Sequence, residues 1–297
     1  MIARRVTSAI VLVMILAVPA LRPGLVARRE VTLEITHRAR TLQPGEVVVL
    51  EVQASEPHVS MRATAFGQSV RFYQTELDDH WRGLIGIDLT VAAGDYPIAV
   101  RATSADGATV RETHTIAVLP KDFPTRRLNV DPSFVSPPPD VFDRIQREAR
   151  QVAEIFRVSS GERLWSGSFL APVPGEATSS FGRRSVFNGQ PRSPHSGTDF
   201  RAGAGVPVRA PNEGRVILTG DLYFSGKVVI LDHGLGLYSY FAHLSAIDVS
   251  EGETVRRGEV VGKVGATGRV TGAHLHWTVR LNDARVDPLS LMTLFPE

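Results

Sequence analysis

The sequence predicts a mainly β protein with two β-rich parts that are joined by a proline-rich and helical segment. Three observations lead to this prediction. Strand-like alternation fills residues 31–118, a cluster of prolines followed by one helical period fills 120–160, and strand patterns return over 169–290. A chain of 297 residues is also long enough for two domains.

Residues 1–20 have the pattern of a secretory signal peptide. Arg4 and Arg5 precede the apolar stretch Ala9–Ala17, and Val18-Pro19-Ala20 or the later Leu25-Val26-Ala27 offers small residues for a cleavage site. The apolar run is shorter than a comfortable bilayer span, and an uncleaved membrane anchor is the alternative. Both readings predict export of the remaining chain, to the periplasm or the cell envelope.

Composition indicates a soluble globular protein and argues against nucleic acid as a partner. Hydrophobic residues make up 43% of the chain and charged residues 22%. The formal charge of +2 equals the contribution of Arg4 and Arg5, so the rest of the chain is close to neutral. No basic stripe with interleaved aromatic residues is evident. Cysteine is absent, so no disulfide stabilises the fold.

The first β-rich part, residues 31–118, predicts an immunoglobulin-like β-sandwich. Apolar and polar residues alternate from Val31 to Thr36 and again from His58 to Ala65, and turn signals such as Gln43-Pro44-Gly45 and Asp106-Gly107 separate the runs. Its four histidines have no ligand spacing, so we expect surface or pairing roles for His37, His58, His80 and His114. The proline-rich segment that follows suggests that the sandwich folds separately.

The connecting segment combines a proline-rich linker, Pro120–Pro139, with a helix. Asp140 is predicted to cap the helix, and Asp143 places a second acid in its first turn. An apolar stripe at helical spacing is expected to pack against a domain, with partner binding as the alternative; its members are Val141, Ile145, Ala149, Val152 and Phe156.

In the C-terminal part the best strand candidates are 213–219, 227–231, 236–243, 259–264 and 274–281. Strand alternation predicts that His274 and His276 project from one face while Leu275, Trp277, Val279 and Leu281 face the core. The same rule places His243 on a face with Leu237, Ser239 and Phe241.

Five metal-type residues carry the chemistry of this part. They occur as His195-Ser-Gly-Thr-Asp199, then His243, then His274-Leu-His276. Three protein ligands and one open position are typical of a catalytic zinc site, and two further histidines remain for proton transfer, which indicates a hydrolase. His233 is interpreted as structural or as a support for the ligands.

The C-terminal domain, from about Pro172 to Pro288, resembles the lysostaphin-type zinc metallopeptidases that cut peptidoglycan cross-bridges. The motifs that carry the resemblance are Ser180-Phe181-Gly182-Arg183-Arg184, Pro194-His195-Ser196-Gly197-Thr198-Asp199, Ala210-Pro211, Asp232-His233-Gly234, Tyr240-Phe241-Ala242-His243-Leu244-Ser245, Val264-Gly265-Ala266-Thr267-Gly268 and Gly272-Ala273-His274-Leu275-His276.

The resemblance implies a compact antiparallel β-groove. It implies Zn²⁺ held by His195, Asp199 and His276, with His243 and His274 as catalytic residues. The sandwich and linker also resemble the extension found in cell-envelope members of this family, which suggests a regulatory partner for the N-terminal domain.

The substrate expected from this resemblance is peptidoglycan, cleaved at amide bonds of its peptide cross-links by a D,D-endopeptidase reaction. Arg183, Arg184 and Tyr240 are expected to flank the groove. Some relatives carry a Tyr shortly before His-x3-Asp, and the segment 186–192 has none, so His274, Asn188 or Arg184 is a candidate for stabilising the oxyanion.

Two other functions fit the sequence less well. A non-catalytic member of the same fold would bind and activate another wall hydrolase, but such members usually lack some of the five positions that this chain keeps. A carbohydrate-binding or lipoyl-like module would need none of them.

Overall fold

The N-terminal strands form an immunoglobulin-like sandwich in the computed structural model, which describes residues 31–56, 59–129, 137–158, 160–178 and 181–295. The predicted signal segment 1–20 and His58 therefore lie outside the described residues. The seven strands are β1 (Leu33–Ala39), β2 (Val47–Ala54), β3 (Ser60–Ala65), β4 (Gln68–Gln74), β5 (His80–Gly86), β6 (Gly94–Thr103) and β7 (Thr109–Val118).

The pairing of these strands confirms the predicted sandwich. One layer has the order β1-β2-β5-β4 and the other β3-β6-β7, which is the strand order of constant-type immunoglobulin domains. Strand β4 joins the layers, because Gln68–Arg71 pair with β3 and Phe72–Gln74 pair with β5. Alternating apolar residues of both layers, such as Leu50, Ile85 and Ile98, fill the core between them.

The sandwich histidines have the pairing roles that the sequence suggests. His37 Nδ1 on β1 lies 2.7 Å from His114 Nε2 on β7, and His80 Nδ1 lies 2.7 Å from Asp79 Oδ1. None of the three belongs to a metal-type cluster within the described part of the chain.

The connecting segment contains a strand that the sequence analysis missed. Strand β8 (Thr125–Leu128) lies in the proline-rich linker, a 3-10 turn covers Pro139–Val141, and helix α1 (Phe142–Arg157) follows. The prediction of Asp140 as the helix cap is wrong. The 3-10 turn winds the chain before α1 begins, so that Asp140 lies inside this turn and Val141 occupies the cap position without a side-chain bond.

The C-terminal part is a twisted antiparallel sheet with a short final helix. Its elements are β9 (Ala177–Thr178), β10 (Arg184–Phe187), β11 (Gln190–Pro191), β12 (Thr198–Phe200), β13 (Pro207–Arg209), β14 (Gly214–Leu222), β15 (Gly226–Gly234), β16 (Leu237–Ile247), β17 (Thr254–Val255), β18 (Val260–Val264), β19 (Leu275–Leu281), β20 (Ala284–Val286) and α2 (Pro288–Leu294). The main path runs β17-β14-β15-β16-β19-β12-β9. All five predicted strands are present, and no end differs from its predicted position by more than four residues.

The two faces of this sheet pack against different parts of the protein. One face carries the large core that includes Phe241, Trp277 and Val279. Helix α1 packs on the other face, where Phe156 contacts a cluster that includes Tyr238 and Tyr240. Val152 and Phe156 of the predicted stripe therefore pack against the sheet, whereas Ala149 is exposed.

The sandwich and the C-terminal sheet share a core, so the proline-rich linker does not mark a boundary between two separate cores, and separate folding of the sandwich stays a prediction. Val47, Val49 and Leu84 of the sandwich belong to the same buried cluster as Trp277 and Val279, and Val31–Glu297 forms one compact unit. A proline-rich linker does not reveal such an interface, because the apolar residues that form it alternate like those of any buried strand.

Candidate metal centre

Three side chains from the predicted set converge on one point. His195 Nε2 lies 3.1 Å from Asp199 Oδ1, and His276 Nδ1 lies 3.0 Å from the same oxygen. Their ligand-type atoms all lie within 4.8 Å of one another, and they form the metal-type cluster found among the described residues. The three ligands that the family resemblance implies are therefore brought together.

Strand pairing places two of these ligands side by side. Strand β12 pairs with β19 in antiparallel register, with Asp199 directly opposite His276. Gly197 allows this close approach, because a Cβ atom there would lie 2.4 Å from the Trp277 carbonyl oxygen and 2.7 Å from Thr278 Oγ1. A glycine two residues before the carboxylate ligand is thus required by the packing.

The backbone of His195 is held by the hairpin that precedes it. Gly182 N donates to His195 O over 2.7 Å, and His195 N donates to Arg183 O over 3.0 Å. The hairpin of β10 and β11 is in turn flanked by β8, which pairs with β10 in parallel. The linker strand therefore supports the segment that carries the first ligand.

His243 and His274 lie beside the cluster with similar hydrogen bonds. His243 Nδ1 is 3.0 Å from Thr267 O, and His274 Nδ1 is 2.9 Å from Gly272 O. A carbonyl oxygen only accepts, so Nδ1–H of each ring donates this hydrogen bond and Nε2 is left for other partners. The ring centroids of the two histidines are 5.0 Å apart, and that of His243 is 5.9 Å from that of His276.

The predicted face of His243 is wrong, although its place in the site is right. Phe241 and Leu237 lie in the core on the opposite face from the histidines. A β-bulge in β16 breaks the alternation of side chains between the two faces. Leu244 pairs with Lys227 and Phe241 with Val229, so β16 has one residue more than β15 between these two pairs. His243 has a left-handed φ of 65°, and this kink turns its ring toward the ligands.

The charges of the cluster suit a bound cation. Burial alone would raise the pKa of Asp199, but hydrogen bonds from His195 and His276 hold it well below its ordinary value. Burial lowers the pKa of His276, and burial with the neighbouring His276 lowers the pKa of His243 to about 4. At neutral pH the site therefore offers the Asp199 carboxylate together with neutral imidazoles at His276 and His243.

The donor set fits Zn²⁺. Two imidazoles and one carboxylate without a thiolate form a known catalytic ligand set for this ion. His276 Nε2 lies 2.9 Å from Thr278 Oγ1. With a metal bound, the ring proton would move from Nδ1 to Nε2, so that Nε2–H donates to the hydroxyl and the Nδ1 lone pair is free for the metal. Thr278 was not singled out from the sequence, although its position two residues after His276 puts it on the same strand face.

The four predicted substrate-contacting residues differ from one another in burial and in local structural role. Arg183 is partly buried and Arg184 is exposed, and both lie at the hairpin beside His195. Asn188 and Gly189 have φ of 51° and 80°, which is the two-residue hairpin turn that favours Asn-Gly, so the turn alone accounts for Asn188. Tyr240 is only 9% exposed, and burial raises its pKa to about 12. Substrate contact by these four residues stays a prediction.

His233 has the structural role proposed for it. It is fully buried, with Nδ1 2.7 Å from Glu213 O and Nε2 2.9 Å from Ser239 Oγ. Burial lowers its pKa to about 4, which keeps the ring neutral.

Comparison with known proteins identifies the family. The model of peptidase family M23 matches residues 193–288, which contain all five site residues. A crystal structure of a putative peptidase M23 from Pseudomonas aeruginosa is 37% identical, covers 86% of this chain and 96% of its own, and superposes with a TM-score of 0.68. The chain belongs to peptidase family M23. The similarity to the Pseudomonas protein extends over most of this chain and so includes residues well beyond the family match.

Curated relatives share a shorter region with this M23 chain. The DD-carboxypeptidase/endopeptidase Mpg of Neisseria meningitidis is 44% identical over 103 residues, which is 35% of this chain and 24% of the relative. The peptidoglycan DD-endopeptidase ShyA of Vibrio cholerae is 42% identical over 85 residues, or 29% and 20% of the two chains. The matched part is thus about a quarter or less of these relatives' length.

Proposed function

We propose that this chain is a zinc-dependent endopeptidase that hydrolyses amide bonds in the peptide cross-links of peptidoglycan. The convergence of His195, Asp199 and His276, with two further histidines beside them, is the observation that carries the proposal. The names of the Neisseria and Vibrio relatives support the substrate and the D,D bond preference.

The five residues divide into metal ligands and proton carriers. His195, Asp199 and His276 would hold Zn²⁺, which when bound would acidify water and polarise an amide carbonyl. His243, neutral and with Nε2 free, would accept the proton of the attacking water. His274 Nε2, once protonated, would donate to the developing oxyanion or to the leaving amine.

The site also argues against glycan cleavage. Hydrolysis of a glycosidic bond generally uses two carboxylic groups that flank the bond. Asp199 is engaged by both His195 and His276, and no other carboxylate belongs to the metal-type cluster in the described part of the chain.

We infer that the protein acts in the cell envelope, where this substrate lies. The signal-like residues 1–20 and the wall-directed relatives support this location. Among the described residues, no helix is long and apolar enough to cross a membrane.

Mass spectrometry of digested sacculi tests the proposal. We expect products in which D-alanine cross-links are opened and glycan strands are intact. New reducing sugar ends with intact cross-links would disprove amide hydrolysis. Products opened only at glycine bridges would disprove the D,D preference and leave amide hydrolysis standing. Asp199→Ala protein prepared in parallel controls for contaminating hydrolases.

A further inference from the structure

Four arginines lie in one row across the second layer of the sandwich. The strand register places Arg62 of β3 directly opposite Arg71 of β4 and Arg101 of β6, and Arg101 directly opposite Arg111 of β7. Directly opposed residues share a sheet face, and neighbouring strands are about 4.8 Å apart, so the row is about 14 Å long.

The row is on the outer face, away from the sandwich core. Arg62, Arg101 and Arg111 are exposed and Arg71 is partly buried, whereas the residues next to them along the strands, such as Ala63, Val70 and Ala102, are in the core. Within the described residues, none of the four guanidinium groups forms an ion pair with a carboxylate. Like charges placed directly opposite each other destabilise a sheet, so the row costs stability without a ligand.

Hydroxyl side chains border the arginines on both sides. The register defines a neighbouring row of Ser60, Thr103 and Thr109, and on the other side a row of Ser69, Thr64, Ala99 and Thr113. These rows add short hydrogen-bonding groups without acidic or large apolar side chains. The face therefore suits a polar, anionic ligand.

The surface is concave and continues toward the C-terminal sheet. A cavity of about 470 Å³ is lined by Arg62, Arg101, Arg111 and hydroxyl neighbours such as Ser69, with Glu112 as the one acidic residue in its lining. Ser69 also lines a second cavity of about 540 Å³, together with Arg71, Arg157 and Asn282. The basic surface thus leads from the edge of the sandwich to the end of α1, although Asp283 also lines the second cavity.

We propose that this arginine row binds the carboxylate-bearing stem peptides of peptidoglycan and so holds the protein on its substrate. A line of evenly spaced guanidinium groups matches a series of carboxylates better than one isolated anion, because each group can form bidentate hydrogen bonds. The absence of exposed large apolar residues on this described face argues against insertion into a lipid surface. The choice of peptidoglycan rests on the proposed function.

The row and the metal centre lie at different places, so both can be occupied together. The second cavity includes Gly236 and Asn282, which adjoin the ends of β16 and β19 away from His243 and His276. A stem peptide bound by the arginines would leave the metal centre free for a cross-link.

Binding to purified sacculi, measured by co-sedimentation with a chelator present to prevent cleavage, tests the proposal. Arg62→Gln/Arg101→Gln should bind about tenfold more weakly, since charge-assisted hydrogen bonds are lost, and the binding of wild type should fall with added salt. Arg147→Gln/Arg150→Gln on the exposed face of α1 makes the same change in charge and should bind as wild type does. Equal binding by the row variant and wild type would refute the proposal.

Two further measurements identify the ligand. Wild-type protein should not sediment with sacculi whose carboxylates have been amidated, and undiminished sedimentation would also refute the proposal. Vesicles containing phosphatidylglycerol should bind wild type and the row variant alike. If the row variant bound vesicles more weakly than wild type but bound sacculi equally well, the ligand of the row would be a lipid surface and the proposal would be wrong.

Hydrolysis of soluble cross-linked muropeptides separates this inference from the proposed function. The row variant should hydrolyse them at the wild-type rate, because no arginine of the row lies at the metal centre. A wild-type protein that binds sacculi through the row but cleaves no muropeptide would disprove the proposed function alone. Thermal unfolding should show the row variant to be at least as stable as wild type, because opposed like charges are removed, and this excludes misfolding as the cause of weaker binding.

Discussion

Asp199 connects the side chains of the metal centre at the level of single residues. Its Oδ1 atom lies within 3.1 Å of a nitrogen of both His195 and His276, and 3.8 Å from His274 Nε2. The backbone around it is fixed as well, since Thr178 Oγ1 donates to Asp199 O and Thr198 Oγ1 donates to Asp287 Oδ1. Its position is therefore set from both sides of strand β12.

We predict that Asp199→Ala and His276→Ala each lose bound zinc. Either change removes one of three protein ligands, and the remaining two cannot complete the donor set of a catalytic site. Elemental analysis of purified proteins measures the effect, with His233→Asn as a control for a buried histidine outside the cluster. Wild-type zinc content in both ligand variants would show that the ion is held elsewhere.

His243→Ala and His274→Ala should retain zinc and lose activity. Both rings lie beside the ligands but take part through proton transfer, which typically contributes about a hundred- to ten-thousand-fold to the rate. Elemental analysis paired with muropeptide hydrolysis distinguishes this result from metal loss. A double variant with the wild-type rate would remove both histidines from the mechanism.

Gly197→Ala should weaken zinc binding although it adds only one methyl group. The new Cβ would meet the Trp277 carbonyl oxygen at 2.4 Å, so β12 must move away from β19 and take Asp199 with it. Gly203→Ala is the matched control, because nothing lies within 4 Å of the added atom. Zinc affinity measured by competition with a chromogenic chelator should fall for the first variant only. Equal affinities would show that the loop accommodates the methyl group.

At the level of elements, α1 covers the sheet face next to the metal centre. Phe156 is 4% exposed, its ring lies 5.5 Å from that of Tyr238, and the Arg280 guanidinium lies 5.0 Å from its centroid. The partly buried Ile155 and Val152 extend this contact along the helix. One aromatic ring therefore provides much of the contact between helix and sheet.

Phe156→Ala should lower the free energy of unfolding by about 3–5 kcal/mol, since it leaves a cavity between α1 and β16. Phe142→Ala, at the exposed start of the same helix, should change it by about 0.5 kcal/mol or less. Urea denaturation followed by circular dichroism measures both. Similar midpoints for the two variants would mean that α1 contributes little to the stability of the sheet.

For the whole molecule, polar contacts reinforce the apolar interface between the sandwich and the C-terminal sheet. Arg285 of β20 donates from Nη2 to Asp88 Oδ1 over 2.7 Å and from Nε to Oδ2 over 2.9 Å. Arg40 Nη2 lies 2.7 Å from Glu46 and 2.8 Å from Asp287, which caps α2. The part that carries the site is thus tied to the sandwich at two separate points.

Asp88→Asn should destabilise the protein by about 1–3 kcal/mol near neutral pH, because it removes charge-assisted hydrogen bonds. Burial alone would raise the pKa of Asp88, but Arg285 lowers it well below the ordinary value of 3.8. The wild-type carboxylate therefore contributes its full stabilisation above about pH 5 and loses it as the pH falls further.

Thermal unfolding from pH 7 to pH 2 checks this prediction. The difference in midpoint between wild type and Asp88→Asn should shrink as acid protonates Asp88. A difference that stays constant over this range would show that the variant acts through packing rather than charge. Asp95→Asn, which changes an exposed carboxylate of the sandwich, is the control.

Much of this architecture can be predicted from the sequence, because alternation and ligand spacing are local patterns. The sandwich, the strands of the C-terminal sheet and the set of five metal-type residues follow from such patterns, whereas the choice of three ligands among the five is what the family resemblance implies. Helix α2 was missed, although Asp287-Pro288 is a typical helix start. The bulge at His243, the pairing of β8 with β10 and the shared core depend on contacts between distant segments, which a single sequence does not display.

The bond between Arg40 and Asp287 joins residues 247 positions apart in the chain. A ribosome adds about 5–20 residues per second, so tens of seconds separate the synthesis of these two partners. During that interval the sandwich lacks the strands and helix that cover Val47, Val49 and Leu84. The sandwich is therefore synthesised early but completed late, and its apolar edge stays uncovered until translation has passed α2.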